Sequence, residues 1–550
     1  MRWLEKATEM ISRRRFRKGW LAFIIFFFLV FIIIPTVFVL SYAFTNWGDI
    51  QSTILNDPAE MQKIWTAIAN SFEIAGIVTL VDFLVGLPMA WMLVRKKFRG
   101  KEFLDTIIDM PLAVPTAALG FSAAIFWGIT PADLTNPLGL NIIGSPFLLI
   151  ILLHIVFSYP YMVRSLAAIL EQIDETYETA GRTLGASKLT VARTITLPLF
   201  RAGLVTGIIL CFARSLSETG GTVVALTTVG AQKLFYTAPT LIDEVKKNSI
   251  TNPALIPELS FISIILIVLA LALLAVMAII VKRAHLPIRK IWPRPEKILS
   301  RGLAPKAKDF SSILFLSFIV LIPSFFIFTY VLTATPSQPM NWGMFGEALL
   351  YSFIVAGVVT VIDLALGVPL ALYIARGRSK RLPETLDILV NVPLIVPTVA
   401  LGYSLGLFWV GGQPVSGAVG IVLVILAHIA FTYPLMVRSV TGAVEEVDPV
   451  YEETARTLGA KPVQAFRRVL YPVISSSILA GAIMAFTRSL GETGATRAVV
   501  EGANTAPNFI VNLVQAHDYY SAALACIVLI VISYAFMLAL RYVVRKRRGV

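Results

Sequence analysis

Charge is scarce in this 550-residue chain. Asp, Glu, Lys and Arg make up 15% of it, against 57% hydrophobic residues. So little charge cannot cover the surface of a water-soluble protein of this size, which leaves a membrane protein. Cysteine is scarcer still. Cys211 and Cys526 both lie in apolar runs, so there is no disulfide framework and no CxxC metal or redox pair. The four histidines are scattered and form no HExxH motif. No GxxxxGK[ST] phosphate loop occurs, so the chain does not bind and split ATP by that route. A membrane enzyme is left without a metal or nucleophile constellation, and no catalytic residue is assigned.

Long apolar runs are what the chain does have. Stretches able to cross a bilayer fall at about 20–42, 68–94, 103–130, 146–169, 199–226, 258–281, 309–333, 347–375, 383–411, 416–440, 473–500 and 519–543. The first, after Arg13-Arg14-Arg15, is too long for a signal-peptide core and lacks an A-x-A cleavage pattern, so it reads as a retained span. The expected fold is an all-α polytopic membrane protein of about twelve transmembrane helices. With the N-terminus inside, forty of the 47 Lys and Arg fall in inner segments and five in outer loops. Both termini are then cytoplasmic. The net charge of +14 follows from this topology and anionic lipid, and needs no nucleic-acid partner.

The sequence repeats itself. Asp109-Met-Pro-Leu-Ala-Val-Pro-Thr116 recurs as Asn391-Val-Pro-Leu-Ile-Val-Pro-Thr398. The string His154 to Ser165 recurs as His428 to Ser439, and Arg214-Ser-Leu-Ser-Glu-Thr-Gly-Gly-Thr222 as Arg488-Ser-Leu-Gly-Glu-Thr-Gly-Ala-Thr496. The offset is 281–282 in the early spans and 274 from the histidines onward. Two halves result, 1–285 and 305–550, joined by a basic, Pro-rich cytoplasmic linker, 286–304. Each half holds six spans, so both start and end inside: they are parallel repeats about an axis along the membrane normal, the arrangement of a transporter.

Two inner loops, about 170–197 and 441–471, each read as a helix–turn–helix. Gly185 and Gly459 sit where a C′ glycine lets the chain reverse. Ser187 can cap the second helix of the first loop, Pro462 opens that of the second, and Pro198 and Pro472 mark the junctions with the following spans. These loops resemble the EAA loop of the ABC importer permeases of type I. The second matches at Glu453-Thr454-Ala455, Gly459, Val469 and Pro472, with Tyr471 in place of Leu. The first matches at Gly185, Ile195, Leu197 and Pro198, but reads Thr179-Ala180-Gly181 at the E-A-A position, with Glu178 one residue early. The resemblance implies that the loops dock two separate ATPase subunits. ATP and Mg would bind those partners, and this chain would carry no cofactor. It also implies an extracytoplasmic binding protein and the plasma membrane of a prokaryote. The outer loops read as short and irregular, a docking surface for that protein.

Ionisable residues at membrane depth are costly and mark a pathway or a partner. Glu73, Asp82 and Asp363 fall in the second spans. Arg214/Glu218 and Arg488/Glu492 fall mid-span in the fifth, four residues apart and so on one helical face. Gly220, Gly221 and Gly494 follow, allowing close approach or local unwinding. Two readings remain open: the segments Arg214, Ser215, Glu218, Thr219, Gly220 and Arg488, Ser489, Glu492, Thr493, Gly494 line a gate, or their ion pairs lock helices. Asp82 and Asp363 read as helix–helix hydrogen-bonding groups, and His154 and His428 as packing or hydrogen-bonding residues. Pro115 and Pro397 kink the third spans, along a moving pathway or statically.

The strings RSLGETGAT, RSLSETGGT, PLAVPTAALG and PLIVPTVALG resemble permeases of the sulfate, molybdate, tungstate and phosphate group, which implies a tetrahedral oxyanion. The fused layout also resembles importers of ferric iron, thiamine and organophosphonates. A secondary transporter, with Asp82, Asp363 and the histidines as relays, is the competing class; the paired inner loops count against it.

Overall fold

The computed structural model describes residues 14–131, 134, 138–283, 293–336, 339–377, 381–413, 415, 417–500 and 505–547. The basic stretch up to residue 13, residues 286–292 of the linker, parts of the outer loops and residues 548–550 lie outside them. The first half runs through α1 (Arg15–Val37), α2 (Pro58–Arg95), α3 (Lys101–Leu112), α4 (Thr116–Trp127), α5 (Pro146–Gln172), α6 (Glu175–Thr183), α7 (Leu197–Leu216), α8 (Gly220–Thr228), α9 (Ala238–Ser249) and α10 (Ile256–Arg283). A linker helix, α11 (Pro293–Leu299), follows. The second half repeats the order: α12 (Ala304–Phe325), α13 (Trp342–Arg376), α14 (Arg381–Ile395), α15 (Thr398–Val410), α16 (Gly417–Glu445), α17 (Val450–Thr457), α18 (Tyr471–Leu490), α19 (Gly494–Val499), α20 (Ala506–Gln515) and α21 (Tyr519–Arg547). Among the described residues, nine helices are long and apolar enough to cross a membrane, and counting each of three bent pairs as one span gives up to twelve.

The third spans differ from expectation. Each is not one kinked helix but two pieces, α3 and α4 bent by 99°, α14 and α15 by 106°. The break falls at Val114-Pro115 and Val396-Pro397, where the residue before proline is pushed to an extended conformation (ψ 126° at both). An arginine fixes the first arm of each bent pair. Arg164 on α5 donates to Asp109 (2.6 Å) and Asp105 (2.5 Å), and Arg438 on α16 to Asn391 (2.9 Å) and Asp387 (2.6 Å). Phe103 on α3 and Ile388 on α14 are exposed.

Each half lends its first helix to the other. On α1, Phe28 stacks on Tyr433 and Phe31 on Trp409. On α12, Phe315 meets Tyr159 and Phe318 meets Trp127. Proline interrupts both lent helices, and the partner half repairs the first break. The Ser404 hydroxyl accepts from Val39 N–H (2.8 Å) and donates to Pro35 C=O (2.6 Å), inserting into the helix ladder. Ser122 accepts from Ile327 N–H (2.9 Å) at the matching place. Two of the three apolar clusters run across both halves for this reason.

Helix α4 packs on α8 almost backbone to backbone. A Cβ on Gly120 would lie 2.1 Å from Gly221 O, and one on Gly402 would lie 2.6 Å from Ala495 O. Small residues allow such approach inside a membrane. Gly120→Ala is therefore expected to destabilise the purified protein by roughly 1–3 kcal/mol, as overpacking does. Gly406→Ala, whose nearest neighbour would be 3.9 Å away, should leave the melting temperature unchanged.

Two further expectations are corrected. The second helix of each inner loop is not a separate element: the helical run continues from Lys188 and Pro462 straight into α7 and α18, so Pro198 and Pro472 mark no break. A wide helical turn at 192–196 and 466–470 immediately precedes each proline and accommodates the missing N–H within the run. The outer loops at 228–257 and 497–518 are also not merely irregular. They hold α9 and α20, each anchored at its start by a serine, Ser71 to Ala238 N–H (2.7 Å) and Ser352 to Ala506 N–H (2.8 Å).

Among the described residues, the linker helix is tied to the first half. Glu296 on α11 accepts from Arg193 Nε and Thr190 Oγ1, both at 2.6 Å, and Ser300 Oγ accepts from Leu189 N–H (3.1 Å). In the second half the position matching Arg193 is Arg467, which is exposed. Hydrogen bonds from Arg193 and Thr190 hold the Glu296 carboxyl below the ordinary glutamate range. A depressed carboxylate stabilises the docked form above its unfolded pKa and loses that contribution as pH falls through the folded one. Docking of α11 should thus be complete at neutral pH and release only in acid. Glu296→Gln should lower the protection of 293–299 at pH 7, measured against intrinsic amide rates, and remove the acid-dependent loss of that protection.

Candidate functional site: two docking loops and a closed passage

The two inner loops share their local chemistry. Asp174 caps α6 by accepting from Thr176 N–H (2.8 Å), and Asp448 accepts from Val450 N–H (2.9 Å) before α17. Both helices end on a left-handed glycine, Gly185 at φ +85° and Gly459 at φ +93°. The bonds Ala186 N–H to Gly181 O (3.2 Å) and Ala460 N–H to Ala455 O (3.0 Å) complete a Schellman turn. Ser187 accepts from Thr190 N–H (3.3 Å) to start the return.

The anchoring glutamate is the same in both halves. Glu178 accepts from Arg95 Nε (3.1 Å) and Thr196 Oγ1 (3.1 Å), and Glu452 accepts from Arg376 Nε (3.0 Å). Each arginine ends the second span and also donates to a backbone carbonyl before the loop, Arg95 to Ile173 O (2.7 Å) and Arg376 to Val444 O (2.8 Å). Glu178 therefore corresponds to Glu452, and the first loop has Thr179 where the second has Glu453. Glu453, Thr454, Thr179 and Ala180 are left on the outer face, with Ala455 half-buried. Beside them Tyr177 and Leu184 are 59% and 88% exposed, and Tyr451 and Leu458 are 64% and 84% exposed. Sequence inspection missed Arg95, Arg376 and Glu452; the repeat offset applied to Glu178 would have found the last.

The fifth spans break where their Gly-rich strings begin. Helices α7 and α8 bend by 51° around Ser217–Thr219, and Gly491–Thr493 separates α18 from α19. A carboxylate sits at each break. Glu218 accepts from Gly221 N–H (2.9 Å) and pairs with Arg214 (2.7 Å); Glu492 accepts from Ala495 N–H (3.1 Å) and pairs with Arg488. The negative group thus satisfies both a helix N-terminus and a guanidinium. Each guanidinium also lies over a ring, Arg214 on Phe157 (4.6 Å) and Arg488 on Phe431 (5.0 Å).

A histidine joins the two sides of each break. His154 is hydrogen-bonded to Ser215 (2.8 Å) and Thr222 (3.0 Å), and His428 to Ser489 (2.7 Å) and Thr496 (2.8 Å). All six groups are buried. Asp82 accepts from the Ser158 hydroxyl and the Cys211 thiol (3.2 Å), linking α2, α5 and α7; Asp363 holds the matching buried position. Glu73 is exposed on α2.

The broken segments meet at the axis between the halves. A Cβ on Gly220 would lie 2.4 Å from Thr493 Oγ1, and one on Gly494 would lie 2.8 Å from Thr219 Oγ1. A Cβ on Gly491 would touch Pro115 Cα at 3.5 Å, and Thr398 donates to Ser217 O at 3.5 Å next to Pro397. Directly beneath, on the docking-loop side, lies a cavity of about 660 Å³. It extends from Arg214, Arg488 and Gly491 past Tyr161 and Thr487 to Asp109 and Arg164. Of the candidate pathway residues, Arg214 and Arg488 line it, whereas Ser215, Ser489, Glu218, Glu492, Thr219, Thr493, Gly220 and Gly494 do not. Tyr161, Ser476 and Thr487 were not singled out in the sequence, because they have no polar counterpart in the other half.

Two repeated helical halves, paired helical loops and a cavity between the halves are the architecture of a transport permease. The chain belongs to the family described as binding-protein-dependent transport system inner membrane component, which matches residues 82–286 and again 367–549. It is an ABC-importer permease with two such units fused, and an integral membrane protein. Single-unit relatives are similar to it. The molybdenum transport system permease protein ModB of Escherichia coli (strain K12) is 35% identical over 179 residues, covering 32% of this chain and 76% of that protein. The molybdate/tungstate transport system permease protein WtpB of Methanocaldococcus jannaschii is 30% identical over 199 residues, 36% of this chain and 74% of that protein. The probable sulfate transport system permease protein cysT of Chlorella vulgaris is 31% identical over 180 residues, 32% of this chain and 65% of that protein.

Proposed function

We propose that the chain forms the complete membrane passage of an ATP-driven importer for a tetrahedral oxyanion such as sulfate, molybdate, tungstate or phosphate. The observation that carries the importer reading is the pair of docking loops. They repeat the same capped helix, the same anchored glutamate and the same exposed Tyr–Leu pair in both halves. Two ATPase subunits would seat on them, each with its own ATP and Mg. An extracytoplasmic binding protein would deliver the solute to the opposite face. The membrane is then the plasma membrane of a prokaryote, with both termini cytoplasmic.

The oxyanion assignment draws on the relatives named for molybdenum, molybdate/tungstate and sulfate transport. It is supported by two guanidinium groups at the top of the cavity, flanked by the hydroxyls of Tyr161 and Thr487. At about 30 Å³ per water, the cavity has room for an anion with most of its hydration shell. The present state would be the one closed where Gly220 meets Thr493 and Gly494 meets Thr219, with the cavity below. Closing of the ATPases would draw α6 and α17 together and rock the halves apart above the contact, and hydrolysis would restore the present state. Uptake into proteoliposomes holding the chain, its ATPase subunits and its binding protein tests the assignment. ATP-dependent accumulation of at least one of labelled sulfate, molybdate, tungstate or phosphate is expected. Failure with all four would overturn the oxyanion reading and leave the docking loops untouched.

A further inference from the structure

Beyond the gate, on the side away from the docking loops, an ion pair joins the two halves. Arg497 on α19 grips Asp243 on α9 with both arms, Nε to Oδ1 at 2.7 Å and Nη2 to Oδ2 at 3.1 Å. The side chains are only 14% and 8% exposed. A third guanidinium nitrogen donates to Asn512 (3.3 Å).

The repeat shows what stands at the mirror position. The offset of 274 across the gate strings relates Arg497 to Val223. On the outer helices the offset is 268, fixed by Thr237/Thr505 and by the serine anchors at Ala238 and Ala506. It relates Asp243 to Val511. Val223 and Val511 are both buried in one apolar cluster. The outer closure is thus ionic on one diagonal and apolar on the other. Two identical subunits would carry the ion pair on both diagonals; only a pair of unlike halves can carry it once.

The two kinds of closure respond differently to opening. An apolar contact loses its burial when the halves separate. An Arg–carboxylate pair has already given up hydration to close, and regains it on opening, so it adds little to the closed state relative to the open one. It does fix a single register, because the bidentate fork fits in one geometry. Removing one partner is another matter, since the remaining charge is then stranded in the closed form and hydrated in the open form.

We infer that the Arg497–Asp243 pair is a latch on the outer face, made when the passage is closed above the gate and broken when the halves open away from the docking loops. The inference rests on the alternating-access reading given above. It makes opening a single discrete event on one side of the axis, with the Val223/Val511 side following as the hinge.

Hydrogen exchange of the full chain in nanodiscs tests the pair without any transported solute. Arg497→Gln and Asp243→Asn should each raise exchange in 238–249 and 494–499 by about tenfold, as expected when a local closed state is weakened. The charge-swapped protein, Arg497→Asp with Asp243→Arg, should return most of that protection. A second arm uses the chain reconstituted with its ATPase subunits and no binding protein. Each single variant should raise ATP hydrolysis about threefold, because the outer face opens without its trigger, and the swap should bring it back. Unchanged exchange in the single variants, or a swap no better than they are, overturns the latch. Altered exchange with unaltered hydrolysis reduces the pair to a structural bridge and also overturns it. Absence of uptake with every oxyanion, by contrast, bears only on the substrate.

Discussion

Arg488→Gln is expected to reduce ATP-dependent uptake by roughly 100-fold or more and to destabilise the protein by about 3–5 kcal/mol, the cost of stranding one member of a buried ion pair. Glu492 is only 3% exposed and would keep a single backbone partner, Ala495 N–H. Arg214→Gln should act alike through Glu218, whose remaining partner is Gly221 N–H. The double variant Arg488→Gln/Glu492→Gln separates a gate from a lock. It removes both charges, so thermal stability in detergent should recover most of the loss. Uptake should stay low, because the guanidinium at the top of the cavity is gone. If uptake recovers together with stability, the pair is a helix lock and the passage does not use its charge.

How far this site could be read in advance depended on which interactions obey the repeat. The Arg/Glu pairs, the histidines and the glycine turns all recur at one offset, so their pairing was visible as text. Their purpose was not. That His154 joins Ser215 to Thr222 across a broken helix needs the break itself, and a hydropathy window treats Leu197–Thr228 as continuous. The same blindness hid the third-span geometry. Val-Pro-Thr announces a disturbed helix, but a static kink and a 99° bend differ only in what grips the arms. Here Arg164 and Asp109 do so, 55 residues apart in the chain.

Departures from the repeat were harder still. Matching the family pattern placed Glu453 at the docking contact and made the first loop look deviant. The fold shows that the arginine ending the second span binds Glu178 and Glu452, one position earlier, in both halves alike, and leaves Glu453 exposed. The unlike features lie elsewhere: the linker helix held by Glu296, the cavity hydroxyls Tyr161 and Thr487, and the Arg497–Asp243 pair. Each involves a residue whose counterpart is apolar, missing or exposed. Fusion of two units into one chain fixes their pairing, and such one-sided contacts can then accumulate without being duplicated.

The docking loops carry the other large prediction. Gly185→Val combined with Gly459→Val should abolish coupled uptake while the protein remains folded. No atom lies within 4 Å of a Cβ at either site, so packing is not disturbed. The effect is purely one of backbone, about 1–2 kcal/mol for an L-residue at left-handed φ. That is enough to unwind the end of a two-turn helix that is otherwise exposed to water. Tyr177, Leu184, Tyr451 and Leu458 would then lose the fixed presentation that a partner surface needs. Gly230→Val is the matched control, for Gly230 has φ +69° and equally open surroundings, but lies at the far end of the same half. It should cost similar local stability and leave the ratio of solute imported to ATP hydrolysed unchanged. The double docking variant should instead bring that ratio close to zero, through loss of either ATPase retention or its coupling. Each single variant should fall between, since one anchored loop remains. If the double variant imports as well as Gly230→Val does, the inner loops are not where the ATPases act on this chain.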